Sequence, residues 1–343
     1  MPEITVTGAN GITWPSMSTW GWEIALYLFV GGLVAGLMIF SGVMRLARPG
    51  RFSRALLVAD LTGLPLLGIG MFLLLLDLSN KVNVWRFYTT FQVRSAMSWG
   101  AWVLLVAMAM LALRFASRLQ PISDLGFKTA ERPVGISDLN PKSRTRWVKS
   151  LISSLQALII RTWNLAVSAG RWAMTRDRAL AFVGVALGIG VGFYTGVLLS
   201  TIPSRPLWNT AVLAPLFLVS GLASGGAFLC LFLPDEEHLH LVPVSILFCA
   251  VEIVLLVAYA INLTFGNNTA QRAGSILFDG AFGLTFWGLV VLLGLLVPAT
   301  FEQLELMHRR VPGVPMRLPP VLKLTGSLAL RFVIVYAGLV SFV

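Results

Sequence analysis

Histidine, cysteine and charge are all scarce in this sequence. The three histidines, His238, His240 and His308, lie in links or at the ends of apolar runs, so no run offers the axial ligands that a membrane-bound haem needs. The two cysteines, Cys230 and Cys249, stand singly, without the clustered spacing of an iron–sulfur or zinc site. The sequence therefore predicts that this chain carries no haem, no iron–sulfur cluster and no metal ion of its own.

Charged residues make up only 12% of the chain, whereas 57% is hydrophobic, which is far more than a soluble domain needs. The apolar residues form runs of about 20, the length that crosses a bilayer as one helix. The net charge of +11 does not indicate nucleic-acid binding, because most basic residues lie between the runs, where they set orientation. Met1 to Ser18 is polar and resembles no signal peptide, so the first run is expected to be a retained helix.

We predict an all-α integral membrane protein with eight transmembrane helices. The predicted spans are residues 20–45, 55–78, 97–117, 179–201, 207–233, 240–265, 276–300 and 318–342. The first link contains Arg45, Arg48, Arg51 and Arg54, the third link is long and rich in Lys and Arg, and the seventh contains Arg309, Arg310, Arg317 and Lys323. Basic links face the cytoplasm, so both termini are predicted to lie outside a bacterial or archaeal cytoplasmic membrane.

The long third link contains an amphipathic pattern between Val148 and Ile159, flanked by basic residues. It favours a helix lying on the inner membrane surface, with a ninth span as the alternative. A ninth span is disfavoured because Ser153, Gln156 and Asn164 would be costly in lipid.

One internal repeat indicates two related halves. Tyr27 to Gly36 reads YLFVGGLVAG and Leu216 to Gly225 reads LFLVSGLASG, with Gly, Leu and Gly at matching places. We interpret residues 1–117 and 177–203 as a first four-helix unit, 118–176 as a cytoplasmic link, and 204–343 as a second four-helix unit in the same orientation. The small residues permit close helix packing in lipid, and we assign them no chemistry.

Polar and aromatic residues gather near the predicted outer ends of the first four helices. They are Trp20, Trp22, Glu23, Tyr27, Asp77, Arg94, Ser98, Trp99 and Tyr194. Such a set of phenols, carboxylates and an arginine within aromatic walls could hold a quinone ring and exchange its protons. The alternative is an interfacial aromatic belt, with Asp77 and Arg94 as a surface ion pair.

Two charged residues fall near the middle of the bilayer, Glu252 in the sixth span and Arg331 in the eighth. Intramembrane charges are expensive, so they are either a structural pair or stations of a proton path. Asp60 and Asp279 are weaker candidates for the same path.

Three segments resemble the polysulfide reductase membrane subunit family, also called NrfD or PsrC-like. They are WGWEIALYLFVGGLVAG (20–36), Asp77 to Trp102 with its end RSAMSWGAW, and YTGVLLSTIPSRPLWNTAVLAPLFLVSGLASGG (194–226). Their order and positions on eight helices extend the resemblance over nearly the whole chain.

The resemblance implies a quinone-binding membrane subunit without haem, which uses menaquinone or ubiquinone in a complex of anaerobic respiration. It also implies a ferredoxin-like four-cluster iron–sulfur subunit on the outer face, joined to a large catalytic subunit of the molybdopterin type. Tyr194 and Asp77 match family positions at the quinone site. Ile24 and Tyr27 stand where the polysulfide enzyme has Asn and His, so the ligand set differs.

Two other classes of function stay open at this point. A secondary transporter would fit an internal repeat and midplane charges, although the repeat is parallel and lacks paired helix breaks. A purely structural anchor would bind no quinone.

Overall fold

The computed structural model describes residues 20–47, 52–78, 81–118, 161–162, 164–202, 204–307 and 315–341. The described residues are helices joined by turns, and eight of the helices are long and apolar enough to cross a membrane. We label these spans α1 (Trp22–Ala47), α2 (Ser53–Asp77), α3 (Ala96–Arg118), α4 (Asp177–Ser200), α5 (Leu213–Cys230), α6 (Asp235–Thr264), α7 (Thr285–Leu306) and α8 (Leu318–Val340). The predicted all-α multi-pass fold is confirmed.

Two spans begin later than predicted. Before α5, the buried Trp208 indole donates to the Ile334 carbonyl (2.8 Å), and the Tyr259 hydroxyl donates to Leu207 (2.7 Å), which holds residues 206–212 in turns. Before α7, a separate helix runs over Asn268–Phe278 and ends at Asp279. These backbone turns end helical winding although the side chains remain apolar.

The spans alternate in direction, and we use this to define two faces. The first face is where α1 begins and α2 ends, and the second face is where α1 ends and α2 begins. Arg114, near the end of α3, is bonded to Asp177 at the start of α4, so α3 ends on the face where α4 begins. The predicted helix at Val148 to Ile159 lies outside the described residues. In the described part of that link, helical residues 164–175 pack against the end of α3, where Gly170 approaches Ala116.

The helix α1 contacts four other spans, namely α2, α4, α5 and α8. Its crossing with α5 is built from glycines on both helices. A Cβ atom at Gly36 would lie 2.9 Å from the Cα atom of Gly225, and one at Gly32 would lie 3.5 Å from the Cα atom of Gly221. These are the matching glycines of the internal repeat. Because equivalent residues meet in the same order along both helices, α1 and α5 run in the same direction. The division into two four-helix units stays a prediction.

We predict that Gly36→Ala destabilises the protein by about 1 to 3 kcal/mol, because the added methyl group meets backbone atoms that cannot move aside. Gly68→Ala in α2 is the matched control, since nothing lies within 4 Å of its added Cβ. Thermal unfolding in detergent measures both. Equal midpoints for the two variants would contradict the close crossing.

Candidate functional site

A cavity of about 340 Å³ lies near the first face, among α1, α2, α3 and α4. Three tyrosines line it, Tyr27, Tyr88 and Tyr194, out of five in the whole chain. The other lining residues are apolar: Met71, Phe72, Leu74, Leu75, Leu78, Val84, Met97, Ala101, Leu104 and Leu198. The site is therefore an apolar chamber whose polar groups are phenol hydroxyls.

Two of the tyrosines are placed by tight packing. Tyr27 in α1 is 1% exposed. Tyr194 in α4 lies directly against Gly100 of α3, so closely that any side chain at position 100 would overlap the phenol ring. The glycine thus lets the Tyr194 ring lie between α3 and α4, at the wall of the cavity.

The sequence interpretation missed Tyr88, which comes from the short helix Arg86–Thr89 between α2 and α3. Its half-buried position raises the pKa of the phenol through loss of hydration, so Tyr88 is a neutral hydrogen-bond donor at physiological pH. The only hint in the sequence is the aromatic run from Trp85 to Phe91. Nothing in that pattern indicates that the link folds back over the cavity.

Two carboxylates lie at the rim of the cavity rather than in its lining. Asp77 ends α2 immediately before the lining residue Leu78, and Glu23 is near enough to interact with it electrostatically. The Oδ1 atom of Asp77 is buried and has no hydrogen-bond partner among the described residues. This oxygen is therefore ready to accept a proton or a hydrogen bond.

The structure places the other predicted site residues outside the cavity lining. Trp22 is 50% exposed, and Arg94 is exposed. Ser98 is buried, and its hydroxyl oxygen accepts a hydrogen bond from the backbone amide of Gln92 (3.0 Å), which shapes the link before α3. In the part of the chain that the structure covers, Asp77 and Arg94 form no ion pair, contrary to the surface-pair alternative.

The cavity reaches the lipid-facing surface of the bundle. Its lining residues Phe72 and Met97 are 57% and 49% exposed, on α2 and α3. A ligand dissolved in the bilayer can therefore enter between these helices without crossing the membrane surface.

A cluster of five charges joins the ends of α1 to α4 at the second face. Arg45 and Arg118 bind Asp60 at 2.6 and 2.7 Å, Arg45 also binds Asp177 at 3.1 Å, and Arg114 binds Asp177. Asp60 is 2% exposed, so its carboxylate is held between two guanidinium groups. Asp60 thus ties the ends of these helices together, and its part in a proton path stays a prediction. Asp279 lies exposed in the turn after the short helix Asn268–Phe278, and not in α7 as predicted.

Glu252 and Arg331 lie close together near the bilayer middle, but no direct ion pair joins them in the described structure. Arg331 Nη1 donates to the Ser220 hydroxyl (2.5 Å), and Glu252 interacts with the same hydroxyl.

Lys323 is 3% exposed inside α8. The sequence interpretation had counted it among the basic residues of the seventh link that set orientation. Inside α8 it is bonded to Glu302 (2.6 Å). Its spacing of four and eight residues from Ser327 and Arg331 is the signal that could have placed it on the buried face.

Comparison with known proteins shows the family to which this sequence is related. Residues 14–343 match the protein family described as polysulphide reductase, NrfD. The sequence is 28% identical to Protein NrfD of Escherichia coli, covering 93% of this protein and 94% of that one. It is 29% identical to a polysulfide reductase polypeptide of Wolinella succinogenes, with the same coverage. Identity to a selenate reductase subunit of Mesobacillus selenatarsenatis is 23%, over 82% of this protein and 67% of that one.

We predict that Asp60→Asn destabilises the protein by about 3 to 5 kcal/mol, because it leaves Arg45 and Arg118 without their shared carboxylate in a buried site. Asp279→Asn changes an exposed aspartate and is the matched control. Unfolding of both variants in detergent, followed by tryptophan fluorescence, gives the comparison. A stable Asp60→Asn protein would show that the cluster does not hold the helix ends together.

Proposed function

Because the protein belongs to the polysulphide reductase NrfD family, we propose that it is the quinone-reactive membrane subunit of a multi-subunit reductase complex, with the tyrosine-lined cavity as the quinone site. The observation that carries the proposal is an apolar, lipid-facing cavity whose polar groups are three phenols. The names of two similar proteins, one from a polysulfide reductase and one from a selenate reductase, support a reductase complex.

The cavity suits a quinone in size and chemistry. Its volume is within the range of small-molecule sites, and its apolar walls match a benzoquinone or naphthoquinone ring with an isoprenoid tail. The opening at Phe72 and Met97 leaves room for the tail in lipid. The hydroxyls of Tyr27, Tyr88 and Tyr194 can donate to the two quinone carbonyls, which are hydrogen-bond acceptors.

Oxidation of a quinol to a quinone releases two electrons and two protons, and reduction takes them up. We propose that the tyrosine hydroxyls hold the oxygen atoms, and that Asp77 and Glu23 exchange the protons with water at the first face. The Oδ1 atom of Asp77 supports this role, because it has no hydrogen-bond partner among the described residues and Asp77 directly precedes the lining residue Leu78. The two carboxylates predicted for the pocket, Glu23 and Asp77, would thus act from its rim.

Electron exchange then requires a partner subunit with redox centres. No group of three His, Cys, Asp or Glu side chains in the described ranges could hold a metal ion. We propose that the partner is a ferredoxin-like four-cluster iron–sulfur subunit, which connects the cavity to a large catalytic subunit of the molybdopterin type.

The docking surface that we propose for this partner is the link from Lys81 to Met97, together with the segment from Thr201 to Leu207. Val82 and Val93 in the first link are 83% and 70% exposed, and Arg86 lies beside them. Exposed apolar side chains that project beyond the spans at this face would be covered by a docked protein. Tyr88 belongs to the same link, so a docked partner would lie against the wall of the cavity. This face would be the outer side of the cytoplasmic membrane, with both termini on that side.

We expect Tyr194→Phe to lower quinone-linked turnover of the intact complex by about five- to tenfold, because one hydrogen bond to the quinone is lost. Turnover with soluble redox dyes should be unchanged, since dyes exchange electrons with the partner directly. Tyr336→Phe is the control, because Tyr336 stacks on Phe332 in α8, away from the cavity. Equal loss of both activities in Tyr194→Phe, or loss of neither, would reject the assignment. Loss of neither is the result that a purely structural anchor requires.

A second variant tests the geometry without removing a hydroxyl group. Gly100→Ala should raise the KM for quinol and lower turnover at least as much as Tyr194→Phe, because the added methyl group displaces the Tyr194 ring. Gly68→Ala again serves as the control. A Gly100→Ala complex with normal quinone kinetics would show that the position of Tyr194 is unimportant.

A further inference from the structure

A line of buried polar side chains runs along one side of α8. Lys323, Ser327 and Arg331 are each four residues apart, which places them on one face of the helix over about 12 Å. They are 3%, 7% and 0% exposed. The line therefore extends from near the second face to the middle of the span, inside the protein.

The end near the second face is a compact polar group. Lys323 Nζ donates to Glu302 Oε2 (2.6 Å) and to the Ser245 hydroxyl (2.5 Å), and Ser245 donates to Glu302 Oε1 (3.0 Å). One turn further along α7, Glu305 lies 3.6 Å from His238. The backbone reaches the surface two residues later, at Met307, which is 60% exposed, so this group adjoins the membrane surface.

The other end is a set of hydroxyl groups around Arg331. Ser224 donates to Ser327 (2.6 Å), and the hydroxyls of Ser220 and Ser327 are 3.2 Å apart. Arg331 Nη1 donates to both Ser220 and Ser327, at 2.5 and 2.8 Å. Glu252 interacts with Ser220 from α6.

A small cavity of about 10 Å³ joins the two ends. Glu252, Lys323 and Ser327 all line it. This volume is about what a single water molecule occupies. The apolar wall comes from α7, whose first part, Thr285–Leu296, is wound as a π-helix, a form often found at functional sites. A water at this point would connect the Lys323 group to Glu252.

We propose that these residues form a proton route from the second face to Glu252 at the middle of the bilayer. A proton enters at the Glu305–His238 pair and passes by way of Glu302 and Lys323 to the water in the small cavity. It then binds the Glu252 carboxylate. No bond other than O–H and N–H bonds forms or breaks, so the route needs no oxidant or reductant.

The charged and titratable groups that face Glu252 come from two helices. Arg331 and Lys323 approach it from α8, and Cys249 lies one turn away on α6. The α7 residues at the same cavity, Val290, Gly294 and Leu295, carry no charge. A carboxylate that served only to neutralise Arg331 would be expected to pair with it directly, whereas the described hydrogen bonds of Arg331 go to Ser220, Ser327 and the Phe217 carbonyl. Hydroxyl groups and water both accept and donate hydrogen bonds, so they can pass a proton on.

The route is separate from the tyrosine-lined cavity. That protons move along it during turnover rests on the proposed quinone function. The route and the cavity are nevertheless close. The Arg331 guanidinium lies against Gly32, with Nη2 3.1 Å from the position of an added Cβ, and Tyr27 is only five residues earlier in α1.

The first test detects the proton on Glu252 directly, without any quinone reaction. Infrared difference spectra of the purified complex, taken between low and high pH, should show the carbonyl stretch of a buried protonated carboxyl group. We expect Glu252→Gln to remove this band and the exposed-site control Asp279→Asn to retain it. In D2O the band should shift promptly. Ser327→Ala should keep the band but slow the shift by about tenfold, because Ser327 lines the small cavity and its hydroxyl is lost as a hydrogen-bond partner for the water there.

Two results of this measurement would overturn the proposal. One is a spectrum in which Glu252→Gln removes no band, which would mean that Glu252 does not change protonation. The other is a Glu252 band that does not exchange with D2O, which would mean that no water path reaches it. Should Glu252→Gln fail to assemble, Ser327→Ala still decides the question through the exchange rate, because its carboxyl group is intact.

The second test asks whether the route is used during turnover. The complex is reconstituted in proteoliposomes, and the charge moved per electron is measured during quinone-linked turnover. We expect Glu252→Gln to lower this ratio by about twofold while Asp279→Asn leaves it unchanged. An unchanged ratio in Glu252→Gln would overturn proton transfer through this route. A complex without quinone-linked turnover would contradict the proposed function instead. The infrared measurement would still decide whether a proton reaches Glu252.

Discussion

The close crossing of α1 and α5 is the contact on which the rest of the arrangement depends. In lipid no hydrophobic force pulls apolar helices together, so close backbone packing has to supply the attraction. Gly32 and Gly36 meet Gly221 and Gly225 with no room for side chains between them. This contact fixes α1 in the centre, where it touches α2, α4, α5 and α8. The position of α1 then sets both the tyrosine-lined cavity and the contact of Gly32 with Arg331.

Charge is distributed differently on the two sides of this crossing. Around α1 to α4, the buried charges gather at the second face, where Asp60 and Asp177 bind three arginines. The region near the first face is left apolar, which suits a lipid-soluble ligand. Around α5 to α8, charges continue to the middle of the span at Glu252 and Arg331. Burial of charge at this depth is expensive, and it persists only where partners and water compensate for it.

The spans were predictable because lipid imposes one requirement, about 20 apolar residues for each crossing. The start of α7 was not, because backbone turns between Asp279 and Leu284 end the helical winding within an apolar stretch. Tyr27 and Tyr194 could be predicted as site residues from their positions near predicted helix ends. Tyr88 could not, since its position depends on how a link folds back over the helices. Lys323 was misassigned because a count of basic residues in links ignores which face of a helix they occupy.

The rigidity of α1 gives the two proposed sites a physical connection. Tyr27 and Gly32 are separated by about 7 Å along one helix. A helix packed through glycine against α5 cannot bend locally without breaking that contact, so a displacement of α1 at Tyr27 would also move Gly32. There the neighbouring group is the Arg331 guanidinium, whose Nε has no hydrogen-bond partner among the described residues. A small shift of this charge would change the field at Glu252, because the two groups interact electrostatically. If α1 moves when the cavity fills, the proton affinity of Glu252 would change with it, without any polar chain between the two sites.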